Sequence, residues 1–378
     1  MKSNWVTKKL GEVILENKKS KIKAKSALSG GNFKFFKSGE KTLYCNQSLC
    51  KGENIFLATG GKAVIHYFNG DASYSTDTYS ISGNSLTATK FLHYFLLLNL
   101  DLIEKKMFLG ASIRHLQKND FKNIPILLPS LPEQRRIVKI LDEVFEKIAK
   151  AKENAEKNLQ NAKELFESYL QSVFTNPGKD WEEKRLEELG EITSSKRIYK
   201  KEYVKDGVPF YRIKEIKELA RNKNITLELY ISKKRYMEIK DIFGVPIIGD
   251  ILITAVGTIG EIYVVKNDEE FYFKDGNILW FKNFNSIDPY FLKFVLMSFI
   301  EQINKLSKGS AYSALTIEKI EKHIIFFPKS LIEQKSIVKK LDALSAETKK
   351  LEAIYKQKLA DLEELKKSVL KKAFAGEL

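Results

Sequence analysis

Cysteine is almost absent from this chain. Cys45 and Cys50 are the only two in 378 residues, too few for a disulfide framework, and reduced thiols are the expectation. No nearby pair of further ligands completes a zinc site around them. Long apolar runs are missing as well. The longest, around residues 91–98, is broken by His93 and is too short to span a bilayer. The opening MKSNWVTKK has no apolar signal core, so a cytoplasmic protein is expected. Catalytic signatures are equally scarce. No G-x-G-x-x-G follows a strand. Gly60-Gly61-Lys62 has Phe56 where a phosphate loop needs glycine and Ala63 where it needs a metal-binding hydroxyl, so a strand turn is expected there. Asp288-Pro289-Tyr290 lacks the second proline of an adenine-methyltransferase D-P-P-Y motif and reads as a helix cap. Glu238-Ile239-Lys240 has the E-x-K form of a nuclease motif, but no P-D pair precedes it and 30% of the chain is charged. The four histidines, His66, His93, His115 and His323, are scattered and read as structural. The expectation is a chain with no catalytic residue, no metal and no cofactor of its own.

What is present is bulk, charge and repetition. Hydrophobic content of 43% and aromatic content of 11% fit a folded protein, and 378 residues call for two or more domains. The net charge of +16 is unevenly placed. Residues 1–130 hold 19 Lys and Arg against 9 Asp and Glu, whereas residues 131–176 hold 8 of each. Residues 177–330 and 331–378 each carry an excess of three. A basic excess on a folded domain points to a polyanion, most simply nucleic acid.

The chain contains itself twice. LPEQRRIVKILD begins at Leu131 and LIEQKSIVKKLD at Leu331, 200 residues later, and WVTKKLGEV at Trp5 is echoed by WEEKRLEELGEI at Trp181. Each helical copy starts S-x-x-E, at Ser130 and Ser330, the form of a capping box. Apolar residues then step by three and four: Ile137, Leu141, Val144 and Ile148 in the first copy, Ile337, Leu341, Leu344 and Leu351 in the second. This is a heptad seam. At Asn158 and Lys358 the pattern slips by one to Leu159 and Leu359, a four-residue step that relaxes supercoiling, and Leu165 and Leu365 are expected to continue it. Helices of this length outrun one small domain, so the two copies are expected to pair, antiparallel, about a pseudo-two-fold axis. The globular parts read as mixed. Strands are expected over 53–68, 75–81, 247–265 and 271–282, and helices over 90–106 and 290–306. The expected fold is α+β: two mixed α/β domains, 1–130 and 177–330, separated by two long helices, 131–176 and 331–378, in an antiparallel coiled coil with an internal repeat.

These strings, together with GVPFYRIKEI at Gly207, GDILITAVGTIG at Gly249 and the terminal KKAFAGEL, resemble the specificity subunits of type I DNA restriction-modification systems. The resemblance covers the whole chain. It implies two target-recognition domains, each reading half of an asymmetric, bipartite sequence in double-stranded DNA. It implies helices that hold the domains apart and dock two methyltransferase subunits, with restriction subunits able to join. Any S-adenosylmethionine, ATP and Mg²⁺ belong to those partners. The first half has no close equivalent of GVPFYRIKEI.

DNA contacts are expected from basic clusters. In the first domain these are Lys18, Lys19, Lys21, Lys23, Lys25, Lys34 and Lys37, with Ser112 and Arg114 in a glycine turn. In the second they are Lys196, Arg197, Lys200, Lys201, Arg212, Lys214, Lys233, Lys234 and Arg235, with Ser310 and Tyr312 in the matching turn. Lysines mostly meet phosphates, and arginines can also read guanine edges. Two rivals remain at this stage: a self-sufficient methyltransferase or nuclease, and the specificity subunit of a related system with a fused methyltransferase-nuclease partner.

Overall fold

The structure, a computed structural model, describes residues 5–257, 259–306 and 315–378. It divides into two compact units, residues 1–157 with 355–378, and residues 158–354. Each unit is a globular part plus one segment of each long helix.

In the first unit, strand Val6–Lys9 pairs antiparallel with Pro125–Leu128 just before the first long helix, Leu131–Thr175. A four-stranded antiparallel sheet follows the order Ile14–Glu16, Thr78–Gly83, Glu53–Ala58, Ile65–Asn69. The run Gly60-Gly61-Lys62 is the turn of its last hairpin. A second sheet places Phe33–Phe36 between antiparallel Leu43–Cys45 and parallel Ala72–Tyr74. Ile55, Ile81, Phe91, Leu92, Leu96, Phe121 and Ile126, all at 0% exposure, centre the core, to which helix Thr89–Leu98 contributes five side chains. The helix expected over 90–106 is two, because Asn99 interrupts it.

The second unit repeats this plan with one further strand, Tyr203–Val204, paired to Tyr230–Ile231. Trp181–Arg185 pairs with Ile324–Pro328 before the second long helix, Leu331–Ala375. The four-stranded order is Glu191–Thr193, Ile278–Lys282, Ile251–Thr254, Ile262–Val264. Val208–Tyr211 lies between antiparallel Tyr230–Ile231 and parallel Tyr272–Phe273. So GVPFY has a structural counterpart in the first half after all, FKFF at Phe33–Phe36, which the sequence hides because the two share only their pleat and their aromatic core residues. The second unit adds two helices, Ile213–Ala220 and Lys233–Phe243, that the sequence reading did not anticipate.

The long helices run antiparallel within each unit. In the first, Arg136 donates to the carbonyl of Leu378 at 2.6 Å, Lys366 lies over the Phe145 ring and Lys152 pairs with Glu363 at 2.7 Å. In the second, Leu170 packs with Leu341 and Phe294. The buried face of the first helix runs through Gln134, Ile137, Leu141, Ile148, Ala155, Ala162 and Leu170. From Gln134 to Ala162 these positions keep the seven-residue repeat, and the last step, Ala162 to Leu170, is one residue longer. Val144, Leu159, Ile337, Leu344 and Leu359 are half-buried. Leu165 and Leu365, expected on the seam, are 51% and 48% exposed, and Leu351 is 38% exposed. Past Ala162 the inward face advances by four-residue steps to Phe166 and Leu170, which leaves Leu165 on the flank. Of the two expected capping boxes, the second shows its serine half. Ser330 accepts from the Glu333 amide at 3.5 Å, whereas the Glu133 carboxylate takes two bonds from Arg136.

Candidate nucleic-acid interface

The basic segment of the first unit follows strand Ile14–Glu16 and is built in two layers. Its main chain is tied to the sheet. Asn17 donates to Asn54 and Ser80 at 2.6 and 2.9 Å, Tyr74 Oη donates to the Lys18 carbonyl at 2.6 Å, and the Thr76 amide donates to the Ile22 carbonyl at 2.8 Å. Ser20 is buried and its hydroxyl accepts from the Ile22 amide. The side chains of Lys18, Lys19, Lys21, Lys23 and Lys25 all point out, exposed. Among the described residues none of the five forms an ion pair. A fixed backbone thus displays an uncompensated row of cations, at low entropic cost for binding a polyanion.

Neighbours extend that row. Lys34 sits 4.5 Å from the Phe68 ring centroid, and Lys37 is half-buried. Lys118, absent from the sequence reading, lies 4.1 Å from the Tyr79 ring. Burial pushes its pKa down, and Lys122 and Lys19 add to the effect against the pull of Glu16. Only the fold brings residues 19 and 118 together; no sequence signal marks the pair. In the glycine turn, Ser112 is exposed, but Arg114 is turned back onto Glu104 in an ion pair.

The second unit treats its cations differently. Arg197 pairs with Asp275 at 2.7 Å, and Arg235 with Glu202 and Glu238 at 2.9 and 3.2 Å. Lys233 pairs with Glu270, and Lys214 with Glu228. Arg212 forms a fork on Glu215, which is 1% exposed, and also reaches Glu228 at 2.8 Å. The bonds to Glu215 and Glu228 push the Arg212 pKa up, and the same partners, Lys214 and Arg212, pull that of Glu228 down. Arg212 also precedes helix Ile213–Ala220, whose Glu215 accepts from the Arg212 amide at 2.7 Å. Its charge is neutralised inside the domain. Lys196, Lys200, Lys201 and Lys234 remain exposed without an ion pair among the described residues, Lys196 lying 4.9 Å from the Phe243 ring. Ser310 and Tyr312 lie outside the described residues.

The motifs set aside in the sequence have ordinary partners. Asp288 caps helix Pro289–Leu306 by accepting from the amides of Tyr290 and Phe291 at 3.0 Å each. Glu238 is engaged by Arg235. Cys45 and Cys50 are buried thiols, and burial pushes Cys50 up to about 11. His66 bonds the Gly39 carbonyl, and His323 stacks on Phe299 at 3.8 Å. Among the described residues no His, Cys, Asp and Glu cluster able to hold a metal ion occurs, and no helix is long and apolar enough to cross a membrane.

The duplicated plan, strand pair, sheets and long helix, is matched by one family model in two stretches, residues 2–158 and 178–363, described as the type I restriction modification DNA specificity domain. The chain belongs to that family. A type I restriction enzyme specificity subunit from Haemophilus influenzae is 27% identical over 352 residues, covering 89% of this chain and 86% of the relative. One from Methanocaldococcus jannaschii is 26% identical over 371 residues, covering 91% and 82%. Among solved structures, a chain from a type I restriction-modification system, determined in a study of complex assembly and conformational transition, shares the fold. Its TM-score is 0.76 at 21% identity, covering 100% of this chain and 99% of that one. The specificity subunit from Thermoanaerobacter tengcongensis aligns with a TM-score of 0.59 at 20% identity, covering 100% and 98%. The two stretches of the family match fall on the two repeats, so this specificity chain carries the domain twice.

Proposed function

We propose that this specificity subunit binds double-stranded DNA through both domains, each reading one half of an asymmetric bipartite target, and that it carries no catalytic residue itself. The observation that carries the reading is the duplication: two domains with one strand plan and different middles, each continuous with a long helix. A 45-residue helix is about 67 Å long, about two turns of DNA, a span suited to separating half-sites. The pinned lysines of the first domain supply the phosphate contacts expected of such a surface.

Two methyltransferase subunits dock on the helices, and restriction subunits join them. Leu165 and Leu365, equivalent in the repeat and about half exposed, give each copy an outward apolar contact for one partner. Methyl transfer, with its S-adenosylmethionine, and the ATP- and Mg²⁺-dependent steps reside in those partners, and the complex works in the cytoplasm. A fused methyltransferase-nuclease partner is a second arrangement, distinguished by the gene next to this one.

The test is reconstitution. The chain alone, its methyltransferase alone and the pair are incubated with duplex DNA, S-adenosylmethionine and Mg²⁺. Adenine methylation is expected only from the pair. Methyl incorporation or cleavage by the chain alone would overturn the recognition-only reading.

A further inference from the structure

Gln134 and Gln334 are at 0% exposure, four residues into their helical repeats and 200 residues apart. Neither belongs to the DNA surface or to the outward faces of the long helices. Their side chains do the same thing in each unit. Gln134 Oε1 accepts from the amide of Ala88, which caps the N-terminus of core helix Thr89–Leu98, and its Nε2 donates to the carbonyls of Pro129 and Leu86, all at 2.9 Å. Gln334 Oε1 accepts at 2.7 Å from the amide of Asp288, at the start of core helix Pro289–Leu306, and its Nε2 donates at 2.8 Å to the carbonyl of Pro328. In both units one amide group thus joins three pieces of chain: the long helix, the strand end that feeds it, and the entry to the main core helix.

Every partner is a main-chain group. Such a joint asks nothing of the side chains of the domain it holds, only that a backbone pass at that place. This accounts for one residue type serving two domains with unlike middles. A carboxamide is also the group suited to the task, since it offers a donor and an acceptor without burying charge. A purely apolar residue would leave the Ala88 or Asp288 amide and the proline carbonyl without partners.

We propose that Gln134 and Gln334 are positioning residues that lock the angle of each recognition domain to its spacer helix, and so fix the gap between the two half-sites. The proposal rests on the bipartite reading above. A joint that only started the helix would affect stability alone, whereas one that sets an angle governs geometry.

Two measurements separate these, each with the full chain. The first is independent of DNA. Spin labels are placed at Lys41→Cys, on the first domain, and Lys147→Cys, on the helix within the same unit, and the distance distribution is read by pulsed electron resonance. Gln134→Met, which keeps length and removes all three bonds, is expected to at least double the width of the distribution at a temperature where circular dichroism shows the chain folded. Gln134→Glu keeps the acceptor for Ala88 and loses the donor, and serves if the methionine variant does not fold; intermediate broadening is expected. An unchanged width in either folded variant overturns the proposal. The second is mapping of methylated adenines after co-expression with the methyltransferase. The variants are expected to keep both half-site sequences and to raise methylation at gaps one base pair longer or shorter at least tenfold. A broadened joint with an unchanged gap overturns its role in spacing. If the unaltered chain itself gives no two-part target, the bipartite reading fails, and the spin-label result still decides whether the glutamine holds the angle.

Discussion

His93 is half-buried beside Tyr67 and Tyr94, with ring centroids 5.4 and 5.5 Å away. Burial pushes its pKa down to about 4, with Lys90, Lys366 and His66 adding to the effect and Asp142 opposing it. The unfolded chain therefore takes up a proton near pH 6.5 that the folded chain refuses until about pH 4. Its contribution is fully present above pH 6.5 and is lost as the pH falls toward 4, by at most about 3 kcal/mol. Urea midpoints at pH 4.5 and pH 7.5 should differ less in His93→Gln than in the parent, and an equal difference in both would contradict the assignment. Along the basic row of the first domain, replacing Lys18, Lys19, Lys21, Lys23 and Lys25 by Gln should weaken DNA binding to all sequences alike. The log–log salt slope should also fall, by roughly 0.9 for each phosphate contact removed. An unchanged slope would take these residues out of the interface. At this scale the sequence shows where cations cluster and is blind to their partners. Nothing local distinguishes Lys18, which has no ion pair among the described residues, from Lys233, which is held by Glu270; several of the acids that neutralise the second domain's cations, Asp275 and Glu270 among them, arrive from elsewhere in the fold. The glutamines were written in both repeats, but periodicity gave them no role because they are polar residues on an apolar face.

Among the elements, the long helices were the most legible, because a repeated apolar stripe of this length admits few other readings. Their boundaries fall within a few residues of expectation. The seam was legible as far as Ala162. Beyond it the apolar face advances by two four-residue steps instead of the heptad's alternating three and four, which turns Leu165 out and Phe166 and Leu170 in. Substitutions should register that difference. Leu170→Ala, at 2% exposure, should cost about 2–5 kcal/mol, while Leu165→Ala should stay within about 0.5 kcal/mol. By contrast, Leu165→Glu with Leu365→Glu should leave the melting temperature within a few degrees and abolish co-purification of the methyltransferase. Comparable destabilisation by Leu170→Ala and Leu165→Ala would restore the heptad register. Full assembly of the double glutamate variant would remove these positions from the docking face. The short helices Ile213–Ala220 and Lys233–Phe243 were illegible for another reason: their dense charges read as a DNA-facing cluster, and much of that charge serves Arg–Glu pairs on the helices themselves.

For the whole molecule, the repeat in the sequence announced two domain–helix halves, and the structure shows that the likeness extends to strand order, including the central parallel pairing in each second sheet. Sequence divergence concealed this because a strand plan constrains pleat and burial, not residue identity. The two domains share a scaffold and present different surfaces, so a DNA sequence read by both cannot be symmetric. The central claim is that one chain reads two unlike half-sites at a set distance. The most direct measurement is a genome-wide map of methylated adenines in cells co-expressing this subunit and its methyltransferase. The account predicts a single motif with two different defined halves separated by a gap of constant length; a continuous palindromic motif, or halves found at variable gaps, would contradict it.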